Sequence, residues 1–288
     1  MRILITGASG QLGRSLQHAL VAHEAVALTH ADLDVTDALA VDAAFNTHKP
    51  VVVIHTAALT DTARCEREPA VADAVNALGS EHVARASARL DVRCVLVSTN
   101  EVFDGANHSA YAEDDEPHPV NVYGTSKLRG ERLGLEGCPE AVIVRTSWVY
   151  GEGATNFVEK VRAAGRTGRE LRFVTDEIAA ATSAADLASA IRALIEKHPP
   201  AGIYHLVNEG ECSRYEWARE ILRLAGMPDV PVEAVTTAQL RAGGYTGPTK
   251  PRYSVLANTR ARSLGSTLRP WQEALAAYFE DARVAADG

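Results

Sequence analysis

Short apolar stretches alternate with segments of helical spacing through the first half of the chain. Residues 2–6 (RILIT) form a β-branched run, and Gly7 to Gly13 and a helically spaced SLQHAL follow it. Residues 24–29 read as a second strand, and a helix through AVDAAF, with Thr36 as its cap, comes next. Pro50 precedes VVVIHTAA, an uninterrupted apolar run of the kind buried on both faces of a parallel sheet. A long alanine-rich helix over 69–90, a strand over 93–98 (RCVLVS), a helix over 122–133 and a strand over 141–144 (AVIV) complete the series. This βαβα alternation with short loops predicts a doubly wound, right-handed parallel α/β sheet.

Beyond residue 150 the pattern loosens. A helix is expected over 184–196, a late strand over 202–207, and a helix over 213–224 capped by Ser213 with Glu216 three residues on. The segment GGYTGPTKP, 243–251, reads as a loop, and a last helix as 270–279. The expected division is a dinucleotide-binding domain over 1–150 and a smaller C-terminal substrate-binding lobe over 151–288, with elements around 184–207 returning to the first domain.

Composition narrows the classes. At 288 residues and 46% hydrophobic content the chain can bury a large core. A net charge of -8 without a basic run disfavours a nucleic-acid partner. No stretch suits a membrane span and no secretory signal is evident, so a soluble cytoplasmic protein is expected. Cys65, Cys94, Cys138 and Cys212 lack C-x-x-C spacing and read as small buried hydrophobes. No His/Cys/Asp/Glu cluster has metal spacing, so no metal ligand is assigned.

Two constellations carry chemistry. Gly7, Gly10 and Gly13 are a weak motif by themselves and equally suit a tight turn with no ligand, but they sit between a strand and a helix. There the backbone can approach a pyrophosphate and the helix N-terminus adds amide donors, which makes Gly7, Gly10, Gln11, Leu12 and Gly13 candidate cofactor residues. Asp32 lies 19 residues after Gly13, near the offset for a ribose-binding carboxylate, with Leu33 beside it. Arg14 is the nearest cation, and the choice between NADH and NADPH stays open. The second constellation is VYGTSK, 122–127, in which Tyr123 and Lys127 share a helix face. A lysine cation lowers a tyrosine pKa toward that of a useful general acid. Thr99 ends the preceding strand, at the sheet edge where open α/β folds bind ligands. His55 ends another strand and reads as a strand-end cap, and His205 as a core or surface histidine.

TGASGQLG, VSTNEVFDG, YGTSK and RTSWVYG together resemble the dTDP-4-dehydrorhamnose reductase family of the extended short-chain dehydrogenase/reductases. LDVTD at 33–37, HTAALT at 55–60, NFVEKV at 156–161, GIYHLVNEGECSRYEWA at 202–218 and KPRYSVL at 250–256 extend the likeness over nearly the whole chain. The resemblance implies a Rossmann-type fold carrying NADPH or NADH, and reduction of the C4 ketone of a nucleotide-linked 6-deoxysugar by Thr99, Tyr123 and Lys127. It adds Ala57 and Ala58 to the cofactor site, and Thr99, Asn100, Glu101, Trp148, Lys250 and Arg252 to the substrate site. A non-catalytic NADP-binding subunit resembling that of methionine adenosyltransferase, and a nucleotide-sugar epimerase or a 4-ketoreductase of other stereochemistry, are the alternatives. Some relatives form homodimers through Mg²⁺, whose ligands do not map onto this sequence.

The chain departs from the family around the substrate. Asn100-Glu101 stands for the usual Asp-Tyr, Leu59 for an aromatic, Ala63 for Asp, and Lys250-Pro251 for Arg-Pro. In 176–182 alanines replace the expected Gly and Pro, and a different loop shape is expected. A carboxylate at Glu101 is expected to repel a diphosphosugar unless it faces sugar hydroxyls.

Overall fold

The computed structural model describes residues 1–153 and 156–287, with side chains described through residue 281. Its first half runs β1 (Arg2–Thr6), α1 (Gln11–Ala19), β2 (Glu24–Leu28), α2 (Ala38–His48), β3 (Val52–His55), α3 (Thr62–Arg67), α4 (Pro69–Asp73), α5 (Gly79–Arg89), β4 (Arg93–Thr99), α6 (Val122–Gly137) and β5 (Val142–Thr146). The second half adds β6 (Val149–Tyr150), α7 (Phe157–Gly165), β7 (Leu171–Val174), β8 (Ile178–Ala179), β9 (Thr182–Ser183), α8 (Ala184–Glu196) and β10 (Gly202–His205). It ends with β11 (Cys212–Ser213), α9 (Arg214–Leu224), β12 (Val232–Val235), α10 (Thr237–Ala242), α11 (Thr259–Ser263) and α12 (Trp271–Asp287).

Six strands form one parallel sheet in the order β10-β5-β4-β3-β1-β2. The chain builds outward from β1 to β2, then crosses back to β3, so the direction reverses between β1 and β3. A crevice opens at such a reversal, beyond the C-terminal strand ends. Both faces of the sheet are covered, as the unbroken apolar strands require. Leu12, Leu16, Leu187, Ile191 and Leu194, from α1 and α8, pack on Ile3, Ile5 and Val144. Val41, Phe45, Val83 and Ala84, from α2 and α5, pack on Leu4, Val53 and Leu96 of the other face. Burying a leucine or phenylalanine side chain contributes about 1.5–3 kcal/mol, so these layers are the main stabilising term.

Several local expectations are corrected. Asp37, not Thr36, caps α2, because its carboxylate reaches the amides of Leu39 and Ala40 at 2.9 and 3.1 Å. Thr36 instead donates its hydroxyl to Asp34. The helix over 69–90 carries a π turn at Ala74–Leu78, where Asn76 turns inward and bonds Leu59 and Ser126. Such turns are frequent at functional sites. The last helix runs on to Asp287. Helices α3, α10 and α11 and the parallel pair β7–β12 carry no strong period and were not expected from the sequence. The capping box of Ser213 and Glu216 is present, with Ser213 amide donating to Glu216 at 2.8 Å and Glu216 amide to Ser213 Oγ at 3.1 Å.

Strand β10 joins the main sheet beside β5, and α8 packs on α1. The remaining second-half elements bury Tyr150, Val158, Trp217, Ile221, Trp271 and Phe279 in a separate apolar cluster. All four cysteines are buried and free. No helix among the described residues is long and apolar enough to cross a membrane.

Candidate active site

A cleft of about 630 Å³ runs from the glycine turn, across the ends of β1, β3 and β4, to the second-half elements. Gly7, Gly10, Gln11, Leu12, Gly13, Leu33, Ala57 and Ala58 line one end, Thr99, Tyr123 and Lys127 the middle, and Asn100, Glu101, Trp148 and Lys250 the other end. Asp32 and Arg252 are not part of the lining.

The glycine end is built from backbone. Gly7 holds φ +68°, and a Cβ there would stand 2.7 Å from the Ala57 nitrogen. A Cβ at Gly13 would stand 2.4 Å from the Gly7 carbonyl oxygen, so this glycine lets α1 press against its own turn. Gly10 differs, because its Cβ would meet only that same oxygen, at 3.3 Å. It caps α1 without any side-chain bond, which leaves first-turn amides directed outward. This arrangement fits the pyrophosphate of a dinucleotide.

The ribose assignment to Asp32 does not match its position. Its carboxylate accepts from the Thr29 hydroxyl and amide at 2.6 and 2.9 Å, and these bonds hold it below the usual carboxylate range. A bend at the end of β2 turns it away, and His30, Leu33 and Asp34 line the cleft in its place.

In the middle, Asn121 caps α6, its Oδ1 accepting from the Gly124 amide at 2.8 Å. Gly124 is required because a Cβ would stand 2.1 Å from the Glu101 carbonyl oxygen. The first turn of α6 thereby lies against the end of β4, which brings Tyr123 beside Thr99. Lys127 is buried and donates to the Val97 carbonyl at 2.7 Å. Burial pushes its pKa down to about 8, against an opposing pull from Glu131.

The tyrosine pKa moves opposite to the expectation. Burial and the Glu101 carboxylate raise it above the ordinary phenol value, against a hydrogen bond with Thr99 that lowers it. Lys127 is turned toward Val97 rather than serving this hydroxyl. His55 is fully buried, with Nδ1 at 2.8 Å from the Thr6 hydroxyl. Burial and then the Lys127 charge push its pKa down to about 3, so the ring is neutral. His205 is a buried core histidine.

The far end is built from side chains. Glu101 faces a cation, with both carboxylate oxygens 2.7 and 3.0 Å from Lys250 Nζ and one 2.7 Å from Asn121 Nδ2. Its expected repulsion of an anionic substrate is therefore compensated within the protein, and Lys250 is engaged with it. Arg252 is exposed beyond the cleft, and its backbone carbonyl accepts from the Ile178 amide. Asn100 donates to Ser254 Oγ at 2.7 Å. In the departing 176–182 segment, Asp176 accepts from the Thr237 amide and hydroxyl, and β8 pairs with β11.

Trp148 stacks on Trp217 with ring centroids 5.6 Å apart, and the Arg214 guanidinium lies 3.6 Å from the Trp148 centroid and 5.5 Å from that of Trp217. It holds φ +40°, a costly conformation for a bulky residue and one that recurs at functional sites. Arg214, Phe157 and Trp217 also line the cleft and escaped the sequence reading. Arg214 left one signal, since a cation at the first position of a helix opposes the helix dipole and calls for another reason to be there. Its partner Glu177 is 3.8 Å away. Among the described residues no group of three or more His, Cys, Asp or Glu could hold a metal ion.

Known proteins share this architecture along its length. The chain is 38% identical to the spore coat polysaccharide biosynthesis protein SpsK of Bacillus subtilis, covering 99% of both. It is 39% identical to the dTDP-4-dehydrorhamnose reductase of Streptomyces griseus, covering 96% of this chain and 93% of that one. The structure of dTDP-4-dehydrorhamnose reductase from Bacillus anthracis in complex with NADP superposes with a TM-score of 0.92 at 35% identity, over 97% of this chain and 99% of that one. A family profile described as the RmlD substrate binding domain matches residues 1–284. The chain belongs to the RmlD substrate binding domain family.

Proposed function

We propose that this protein is an oxidoreductase that uses NADPH or NADH to reduce the C4 ketone of a nucleotide-linked 4-keto-6-deoxysugar. Relatives are named dTDP-4-dehydrorhamnose reductase, and the reaction we adopt for this chain is dTDP-4-dehydro-L-rhamnose to dTDP-L-rhamnose. One observation carries the reading: Thr99, Tyr123 and Lys127 face the same cleft as the glycine turn. A cofactor bound in the glycine end would supply a hydride to the ketone carbon.

The remaining work falls to side chains. Tyr123 gives its proton to the oxygen that becomes an alkoxide. Its raised pKa keeps the proton on the phenol but weakens it as an acid, so the transfer depends on groups that stabilise the phenolate and the forming alkoxide. Thr99 hydrogen-bonds the same oxygen and so stabilises the charge that forms there. Lys127, anchored on Val97, holds the nicotinamide ribose, and its charge favours the phenolate left after transfer. Trp148 and Arg214 close the sugar-nucleotide end, where a guanidinium suits a diphosphate. Both reactants are water-soluble anions, and a cytoplasmic location is the reading we adopt.

The test follows NADPH absorbance with dTDP-4-dehydro-L-rhamnose made in situ. Turnover is expected, and Tyr123→Phe should lower kcat by about 10²–10⁴-fold while NADPH still binds. NADPH binding without turnover of this ketosugar by the unmodified protein would remove the substrate assignment.

A further inference from the structure

Three successive residues of β4 meet one face of α6. The Val97 carbonyl accepts from Lys127, the Ser98 hydroxyl donates to Glu131, and Thr99 bonds Tyr123. Tyr123, Lys127 and Glu131 stand four residues apart, so they form a single row along the helix. Two of them belong to the chemistry already assigned, and the third does not.

Glu131 is 4% exposed, and it is doubly bound from the neighbouring strand. Arg145 of β5 donates Nε to its Oε1 at 3.0 Å and Nη2 to its Oε2 at 2.6 Å. Arg145 is 1% exposed, and its guanidinium also lies over the Phe103 ring at 5.1 Å. A buried ion pair is weak evidence for stability, because apolar residues of the same volume often serve equally well. A charged pair one turn below the catalytic lysine therefore calls for a functional account.

We propose that Glu131, clamped by Arg145 and Ser98, is a positioning residue for Lys127, keeping its ammonium charged and fixed against the Val97 carbonyl. The inference rests on the assignment of Lys127 to the reductase site. Burial drives a lysine toward neutrality, and a carboxylate four residues on opposes this. The guanidinium gives that carboxylate a fixed bidentate geometry. The other groups facing Lys127 do not replace it. His55 on β3 is neutral, Tyr123 on α6 keeps its proton, and Val97 on β4 offers only a carbonyl. Glu101 bears on Tyr123 and not on Lys127.

The experiment measures kcat/KM and NADPH affinity against pH, the second by cofactor fluorescence, which needs no turnover. In the unmodified protein both should fall as pH rises through about 8, as Lys127 loses its proton. Glu131→Gln should move this limb down by about one pH unit or more, a loss of about fivefold at the old midpoint that approaches about tenfold well above it. Ser98→Ala, which removes a hydrogen bond but no charge, should lower the melting temperature and leave the limb in place. A limb unmoved in folded Glu131→Gln would overturn the proposal and leave Glu131 a structural residue. Should that variant not fold, Glu131→Gln with Arg145→Met removes both charges at little cost in stability, and the same two readings decide. A protein that binds NADPH but reduces no ketosugar would fail the reductase reading alone, since the binding limb still tests Glu131.

Discussion

The two ends of the cleft are made of different material. At the glycine end the chain meets a ligand with backbone: Gly7, Gly10 and Gly13 clear the space, and the amides of α1 face it. At the far end it meets a ligand with side chains borrowed from distant segments. Glu101 is held by Lys250, 149 residues away, and Trp148 is covered by Arg214. Backbone recognition follows from local geometry and can be read from a short motif. Side-chain recognition here rests on charges that balance one another across the fold, so a change in one residue alters what its partner offers.

Glycine substitutions should break this contrast most strongly. Gly13→Ala places a Cβ against the Gly7 oxygen and the Ala8 Cα, at 2.4 and 2.7 Å, and neither backbone atom can yield. It should cost about 1–3 kcal/mol of stability and more than about tenfold in NADPH affinity, read by thermal melting and fluorescence titration. Gly10→Ala should lose less stability than Gly13→Ala and still lose affinity, because Gly10 lines the cleft and its Cβ would meet only the Gly7 oxygen, at 3.3 Å. Equal melting losses in the two variants would mean that Gly10 serves packing.

A removal at the other end should have a smaller and separable effect. Lys250→Ala leaves the Glu101 carboxylate with Asn121 as its remaining partner. It should destabilise by about 1–3 kcal/mol and raise KM for the sugar nucleotide, with NADPH affinity unchanged. The double variant with Glu101→Gln should recover much of both losses. A fall in NADPH affinity would show that the two ends are coupled.

The smallest expected effect is at Asp32. Because its carboxylate is turned to Thr29, Asp32→Asn should change the NADPH dissociation constant by about twofold or less. A larger change would return Asp32 to the ribose site.

The same contrast explains what could be read beforehand. The six-stranded sheet was legible because its central strands are nearly continuous apolar runs, with Gly7 after β1 and Pro50 before β3 marking their ends. Tyr123 and Lys127 were legible because helical spacing puts them on one face. Arg214 was not, since nothing around position 214 says that its helix begins under Trp148. Strands β7 and β12 were not, since each has four residues and they are paired only with each other. The direction of the Tyr123 pKa was also misread from spacing, because burial and a carboxylate on another segment outweigh a lysine four residues away.

The sequence by itself determined the order of the six sheet strands along the chain, the glycine turn, and the shared face of Tyr123 and Lys127 on α6. These depend on local sterics and on the period of a single element. Only the tertiary structure decided that Asp32 faces away, that Glu101 is neutralised by Lys250, and that Arg145 holds Glu131 behind the catalytic lysine. Each of these outcomes is a choice among polar partners. Burial makes that choice strict, because a desolvated charge must find its counterpart wherever the fold has placed one.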